Sequence, residues 1–174
     1  MSYLNNHFVP STVLKINVGF LLHEAAGASR EIAFDVPEIR LDDTRLDYMR
    51  GNVRLTRTAR GILVQGQLLA GYKSQCVRCL KETSRQINLE IEDIFVFPPT
   101  PQAEFAVYED GFLDLAPLLR EETIVHMPIH VVCMPECRGL CPSCGTDLNT
   151  DVCACEQDNI DPRFAVLKQM QTHN

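Results

Sequence analysis

The sequence predicts an α+β protein that is mostly β: an antiparallel sheet or open barrel, one main helix and a C-terminal zinc-knuckle-like tail. Three observations carry this. From Val13 onward, short apolar runs alternate with turns, and in "RQINLEIEDIFVF" (85–97) the period is two. A single well-bounded helical stretch lies between Asp114 and Pro128. Five of the eight cysteines fall within residues 137–156.

The elements follow in order. Residues 1–12 read as a flexible lead-in, 13–125 as the β-rich body and 126–174 as a cysteine-rich, metal-binding tail. "REIAFDV" (30–36) is a strand. "GNVRLTRTAR", Gly61 and "ILVQGQLLAGYK" form a hairpin of two strands rich in Val, Leu and Thr. In 85–97, Ile87, Leu89 and Ile91 face one way and Gln86, Asn88, Glu90 and Glu92 the other, giving a strand with one wet face. "PPTPQAEFAVYEDG" (98–111) carries three prolines and is a loop. Asp114 is placed to cap a helix through "LAPLLREETIVHM", with Pro117 tolerated in its first turn and Pro128 ending it. Asp161 and Pro162 start a short terminal helix.

At 174 residues, 45% hydrophobic and 22% charged, the chain can bury a core without disulfide staples. No basic leader or membrane span is read from the sequence, so a reducing, bacterial cytoplasm is the expected compartment. There, clustered cysteines serve metals more often than disulfides.

The cysteines fall into "CVRC" (Cys76, Cys79), "CMPEC" (Cys133, Cys137), "CPSCG" (Cys141, Cys144) and "CAC" (Cys153, Cys155). Zinc takes four ligands in a tetrahedron, and a C-x2-C pair supplies two from one turn. Gly145 can take positive φ so that backbone N–H groups reach the sulfurs. Eight thiols make two sets of four, for two zinc ions. One set is Cys141, Cys144, Cys153 and Cys155; the other joins Cys76 and Cys79 to Cys133 and Cys137 and clamps the tail onto the sheet. Alternative registers give Cys137 to the local site in place of Cys155, or His130 in place of Cys133. A redox dithiol and an iron–sulfur cluster use the same residues. A closed site of four thiolates leaves no position for catalysis, and no catalytic residues are assigned. His126 and His130 read as packing or supporting groups near Cys133.

The net charge of −7 is unevenly spread. Residues 40–85 hold ten basic and four acidic residues, so that segment carries +6 and the remainder −13. Strand alternation puts Arg50, Arg54 and Arg60 on one face with Thr56 and Thr58, and Arg57 opposite beside Val53 and Leu55. With Lys73, Arg78, Lys81 and Arg85 around the knuckle, they form a strip able to track an RNA backbone. Exposed charge serving solubility is the competing reading. With no Trp and only Tyr72 nearby, stacking on single-stranded bases is disfavoured against backbone or shape contact.

"CVRCL" between strands, then "DLAPLLREETIVHMPIHVVC", then "CRGLCPSCGTDLNTDVCACEQDNIDPRFAVL", resembles the YceD family of large ribosomal RNA subunit accumulation proteins, from about residue 13 to the C-terminus. The resemblance implies a non-enzymatic factor for accumulation or processing of large-subunit (23S) ribosomal RNA in bacteria, with plastid relatives. Some members lack the C-terminal cysteine cluster, which makes that cluster a stabilising addition. The implied partners are large-subunit RNA or its precursor particles, with no membrane and no small-molecule substrate. The alternative is an adaptor or chaperone for a basic ribosomal protein without direct RNA contact.

Overall fold

The computed structural model describes residues 11–155 and Leu167. The expected lead-in therefore lies almost wholly outside the described residues, and so does the terminal helix expected at Asp161, although Leu167 itself is helical and exposed.

A short 3-10 turn at Ser11–Leu14 leads into β1 (Lys15–Asn17) and the one-turn α1 (Gly19–Leu22). Then come β2 (Ser29–Val36), β3 (Ile39–Leu41), β4 (Thr44–Leu46), β5 (Tyr48–Thr58), β6 (Gly61–Gln75) and β7 (Glu82–Val96). The short β8 (Phe112–Asp114) precedes the main helix, α2 (Ala116–His126). Four strands form one antiparallel sheet in the order β2-β5-β6-β7, and the small pairs β1-β8 and β3-β4 stand apart from it. The sheet is open, with β2 and β7 at its edges.

Period two decides the faces. Val53, Leu55, Val64, Leu68, Ile87, Leu89 and Ile91 point into the core, where α2 adds Leu118 and Leu119. Glu31, Asp35, Arg50, Arg54, Gln67, Glu90 and Glu92 lie on the opposite, wet face. Burying a Leu or Ile side chain is worth about 1.5–3 kcal/mol, so a slip of one residue, which would invert every strand, is strongly disfavoured.

The helix starts one residue later than the sequence suggested. Leu115 occupies the cap position without a side-chain bond, and the Asp114 carboxylate instead accepts the Ala116 N–H at 2.9 Å. Pro117 sits in the first turn and Met127 is the C-cap, just before Pro128. The Arg120 guanidinium grips the Asp43 carboxylate through two bonds of 2.8 and 2.9 Å, tying α2 to the β3–β4 hairpin. No helix among the described residues is long and apolar enough to cross a membrane.

Arg60 is displaced from its expected face. β5 ends at Thr58, so Arg60 lies in the turn before β6, and strand alternation no longer sets its direction.

Candidate metal centres

The longest hairpin of the sheet, β6–β7, is closed at its tip by "CVRC". Its turn is built by Leu80 N–H donating to the Cys76 carbonyl and Cys76 N–H to the Lys81 carbonyl, both at 2.9 Å. The second knuckle repeats this geometry: Gly145 N–H donates to the Cys141 carbonyl at 2.9 Å, and Cys141 N–H to Thr146 at 2.8 Å. The residue after each C-x2-C has positive φ, 75° at Gly145 and 60° at Leu80. Glycine adopts that conformation freely and leucine does so under strain.

The tail packs on the first knuckle. Val77 N–H donates to the Val131 carbonyl, and Leu140 N–H to Arg78, both at 2.9 Å. Gly139, at φ 79°, lies so close that an added Cβ would meet the Arg78 carbonyl oxygen at 2.9 Å. Cys76, Cys79 and Cys137 are buried together, with Val132, Cys133 and Leu140 against them.

This docking gathers the thiols into two groups of four, Cys76/Cys79/Cys133/Cys137 and Cys141/Cys144/Cys153/Cys155, each with all sulfurs within 4.8 Å of one another. None is in a disulfide. A tetrahedron with metal–sulfur bonds of about 2.3 Å has sulfur–sulfur edges of about 3.8 Å. The Cys76–Cys137 and Cys79–Cys133 sulfur separations are 3.8 and 3.6 Å. Donor chemistry and spacing therefore both fit a tetrathiolate ion, and either group could hold one. Neither group includes His130, which is exposed.

The thiols titrate unequally. Burial works to raise Cys76, but backbone N–H groups of Cys133, Cys79 and Arg78 outweigh it and bring the thiol down to about 6. Cys133 is pushed up to about 12, first by burial and then by the neighbouring thiols. In the second group the Thr146 hydroxyl, then its N–H, lowers Cys144 to about 6, while its bond to Cys144 and then burial raise Cys155 to about 12. Four adjacent thiols cannot all carry charge by themselves. A dication would remove that repulsion and expel the remaining protons.

Residues outside the cysteine pattern brace the first group and its junction with the tail. The Asn149 amide donates to the Cys137 sulfur at 3.6 Å, while its oxygen accepts the Arg138 N–H at 2.8 Å. Lys81 pairs with Asp147 at 2.7 Å, linking hairpin to tail, and holds that carboxyl at about 2. Asn149 and Asp147 belong to the "GTDLN" segment after the second knuckle, whose only signal in the sequence is that position.

The basic candidates divide. Arg78 donates to the Cys137 carbonyl at 2.8 Å, and Arg85 to those of Val132 and Cys133, so both bind the tail. Arg57 is half-buried and donates to the Thr58 and Gly61 carbonyls. Arg50 pairs with Asp35 at 2.8 Å and Lys73 with Glu82 at 3.2 Å. The guanidinium groups of Arg54 and Arg60 make no hydrogen bond or ion pair to a described residue. Arg54 stands directly across from Glu31 on β2, and Glu90, Glu92 and Glu122 line the same groove. Arg60 shares a shallow cleft with Glu92, Asp93 and Glu104. The basic segment is thus threaded between acidic strands.

An open antiparallel sheet whose hairpin tip is joined to the tail by one tetrathiol group, with a second such group in the tail, defines a small, β-rich, cysteine-braced protein. More specifically, the chain belongs to the YceD family, described as large ribosomal RNA subunit accumulation protein YceD, whose profile matches residues 64–171. Its relatives include an uncharacterized protein of Mycobacterium tuberculosis (strain ATCC 25618 / H37Rv), 27% identical over 157 residues that cover 87% of this chain and 73% of the relative. Another is YlbN of Bacillus subtilis (strain 168), 22% identical over 125 residues, 70% of each chain. No solved structure gives a significant match.

Proposed function

We propose that this protein promotes the accumulation or processing of large-subunit (23S) ribosomal RNA without chemistry of its own, as a cytoplasmic adaptor for a basic ribosomal protein. Two zinc ions, one per cysteine group, would serve as structural clamps. One observation carries the adaptor reading: the wet-face groove is lined by Glu31, Glu90, Glu92 and Glu122 around the lone cation Arg54. Such a lining attracts a cationic surface and repels phosphate. The YceD family name supports the link to large-subunit RNA. A second reading is direct RNA contact through Arg54 and Arg60 with Arg50, Arg57, Lys73, Arg78, Lys81 and Arg85 around them. The unpartnered state of the first two favours it.

Ultraviolet crosslinking in growing cells, with sequencing of the attached RNA and mass spectrometry of co-purified protein, separates the two. Under the adaptor reading a basic large-subunit ribosomal protein co-purifies, is lost on Glu90→Lys, Glu92→Lys, and leaves RNA reads flat. Reads concentrated on one region of large-subunit RNA, weakened by Arg54→Ala, Arg60→Ala, establish the RNA reading instead. If neither occurs, both readings fall.

A further inference from the structure

The sheet ends on an unusually long edge that no strand among the described residues pairs with, although α2 packs against the same strand. β7 runs from Glu82 to Val96 in unbroken register with β6, without a bulge or proline. Direction along the strand follows from its last residues. Val96 donates to the Phe105 carbonyl and accepts from Val107 N–H, both at 3.0 Å, so its backbone polar groups point away from β6. Phe97, one residue on, turns inward to the Arg60 carbonyl at 3.0 Å. Alternation then aims the N–H and C=O groups of Ser84, Gln86, Asn88, Glu90 and Glu92 outward. None has a hydrogen bond to any described residue, and all five residues are exposed. Only Ile94 N–H is satisfied locally, by the Asp93 carboxylate at 2.6 Å.

A row of unpaired backbone groups is a template for another strand. The side chains beside it choose the partner. Glu90 and Glu92 flank the edge on the wet face, and Glu122 of α2 joins them at the same groove. A second copy of β7 would add its own Glu90 and Glu92 to a groove that is already acidic, which is unfavourable. A strand with lysine or arginine at alternate positions would place those cations over the groove while its backbone completes the edge.

We propose that the 84–92 edge of β7 receives an extended, basic segment of a partner protein by strand addition. This rests on the adaptor reading above and names how the basic partner is held.

The test uses the full chain and a synthetic peptide of alternating lysine and valine, with an alternating glutamate–valine peptide and an oligouridylate as comparisons. Residue-resolved amide exchange is followed by NMR. On adding the lysine peptide, the amides of Ser84, Gln86, Asn88, Glu90 and Glu92 slow by about tenfold or more, whereas the intervening amides, already bonded to β6, do not change. Asn88→Pro removes one outward donor without touching the β6 ladder and weakens binding about two- to tenfold; Asn88→Ala does not. Glu90→Lys, Glu92→Lys abolishes binding of the lysine peptide and transfers it to the glutamate peptide. Unchanged protection of the intervening amides verifies that each variant is folded. Slow exchange of the five outward amides in the free protein overturns the proposal, because the chain itself would then cover the edge. So does protection confined to other residues, or the same protection produced by oligouridylate. Co-purification of a basic ribosomal protein that survives Asn88→Pro would refute the edge while keeping the adaptor reading; its absence altogether would refute both.

Discussion

Gly139→Ala tests the docking of tail on hairpin and, through it, the separateness of the two metal centres. At φ 79° an alanine carries a backbone cost of about 1–2 kcal/mol. Its Cβ would also lie 2.9 Å from the Arg78 carbonyl oxygen and 3.2 Å from the Arg78 Cβ. The oxygen is backbone already held by Leu140 N–H, so relief requires the knuckles to part, at about 1–3 kcal/mol for an overpacked contact. Together these predict a loss of about 2–5 kcal/mol in docking, or about thirtyfold to several-thousandfold in affinity for an ion that needs both knuckles. That ion would be held by Cys76, Cys79, Cys133 and Cys137; the other would be held within 141–155 and needs no docking. Titrating the zinc-loaded protein with a chromophoric chelator should give two phases. In Gly139→Ala one phase moves to weaker affinity and the other stays. Two unmoved phases, or two that move together, would refute the reasoning.

Three other outcomes are expected. Leu80→Gly relieves the positive φ at the first knuckle and should stabilise the protein to urea by up to about 1 kcal/mol, since glycine's greater unfolded-state freedom offsets part of the gain; destabilisation would show that the exposed leucine has a contact of its own. Zinc addition at pH 7 should release about one proton or more per ion, because Cys133 and Cys155, raised to about 12, still hold theirs, and zinc affinity should therefore fall as pH falls; a pH indicator dye reads both. The Asp147 carboxyl, depressed by Lys81 to about 2, should titrate near there by NMR and return toward 3.8 in Lys81→Met. Because its folded value is the lower one, its contribution to stability is complete above about pH 4 and lost as pH falls toward 2.

The strands were legible where one face is buried. Ile87, Leu89 and Ile91 announce their direction because water and core impose opposite demands on neighbours along a strand. The three-residue strands β1, β3, β4 and β8 are too short to show a period, and they exist because non-local pairing holds them. The cysteine pattern was legible because C-x2-C encodes a local turn, and Gly145 took the positive φ expected of it. Leu80 broke that rule at the equivalent position. The fold divides the arginine strip, because charge along a chain is not charge on a surface. Register sets Arg50 against Asp35 and Arg54 against Glu31, both from a strand outside the basic segment. Arg78 and Arg85 have their hydrogen bonds to tail carbonyls 59 and 47 residues away, which no local pattern reveals.

The split cysteine group also has a consequence in time. Cys76 and Cys137 are 61 positions apart, so at about 5–20 residues per second the first knuckle waits about 3–12 s after its own synthesis for the rest of its ligands. The β6–β7 hairpin is complete long before then, yet its tip can hold only half a coordination shell. A chain truncated anywhere between Cys79 and Cys133 leaves that half-shell open, with two cysteines exposed to oxidants and proteases. An ion that needs all four thiols could therefore settle there only once translation has passed Cys137, well after the hairpin itself is made.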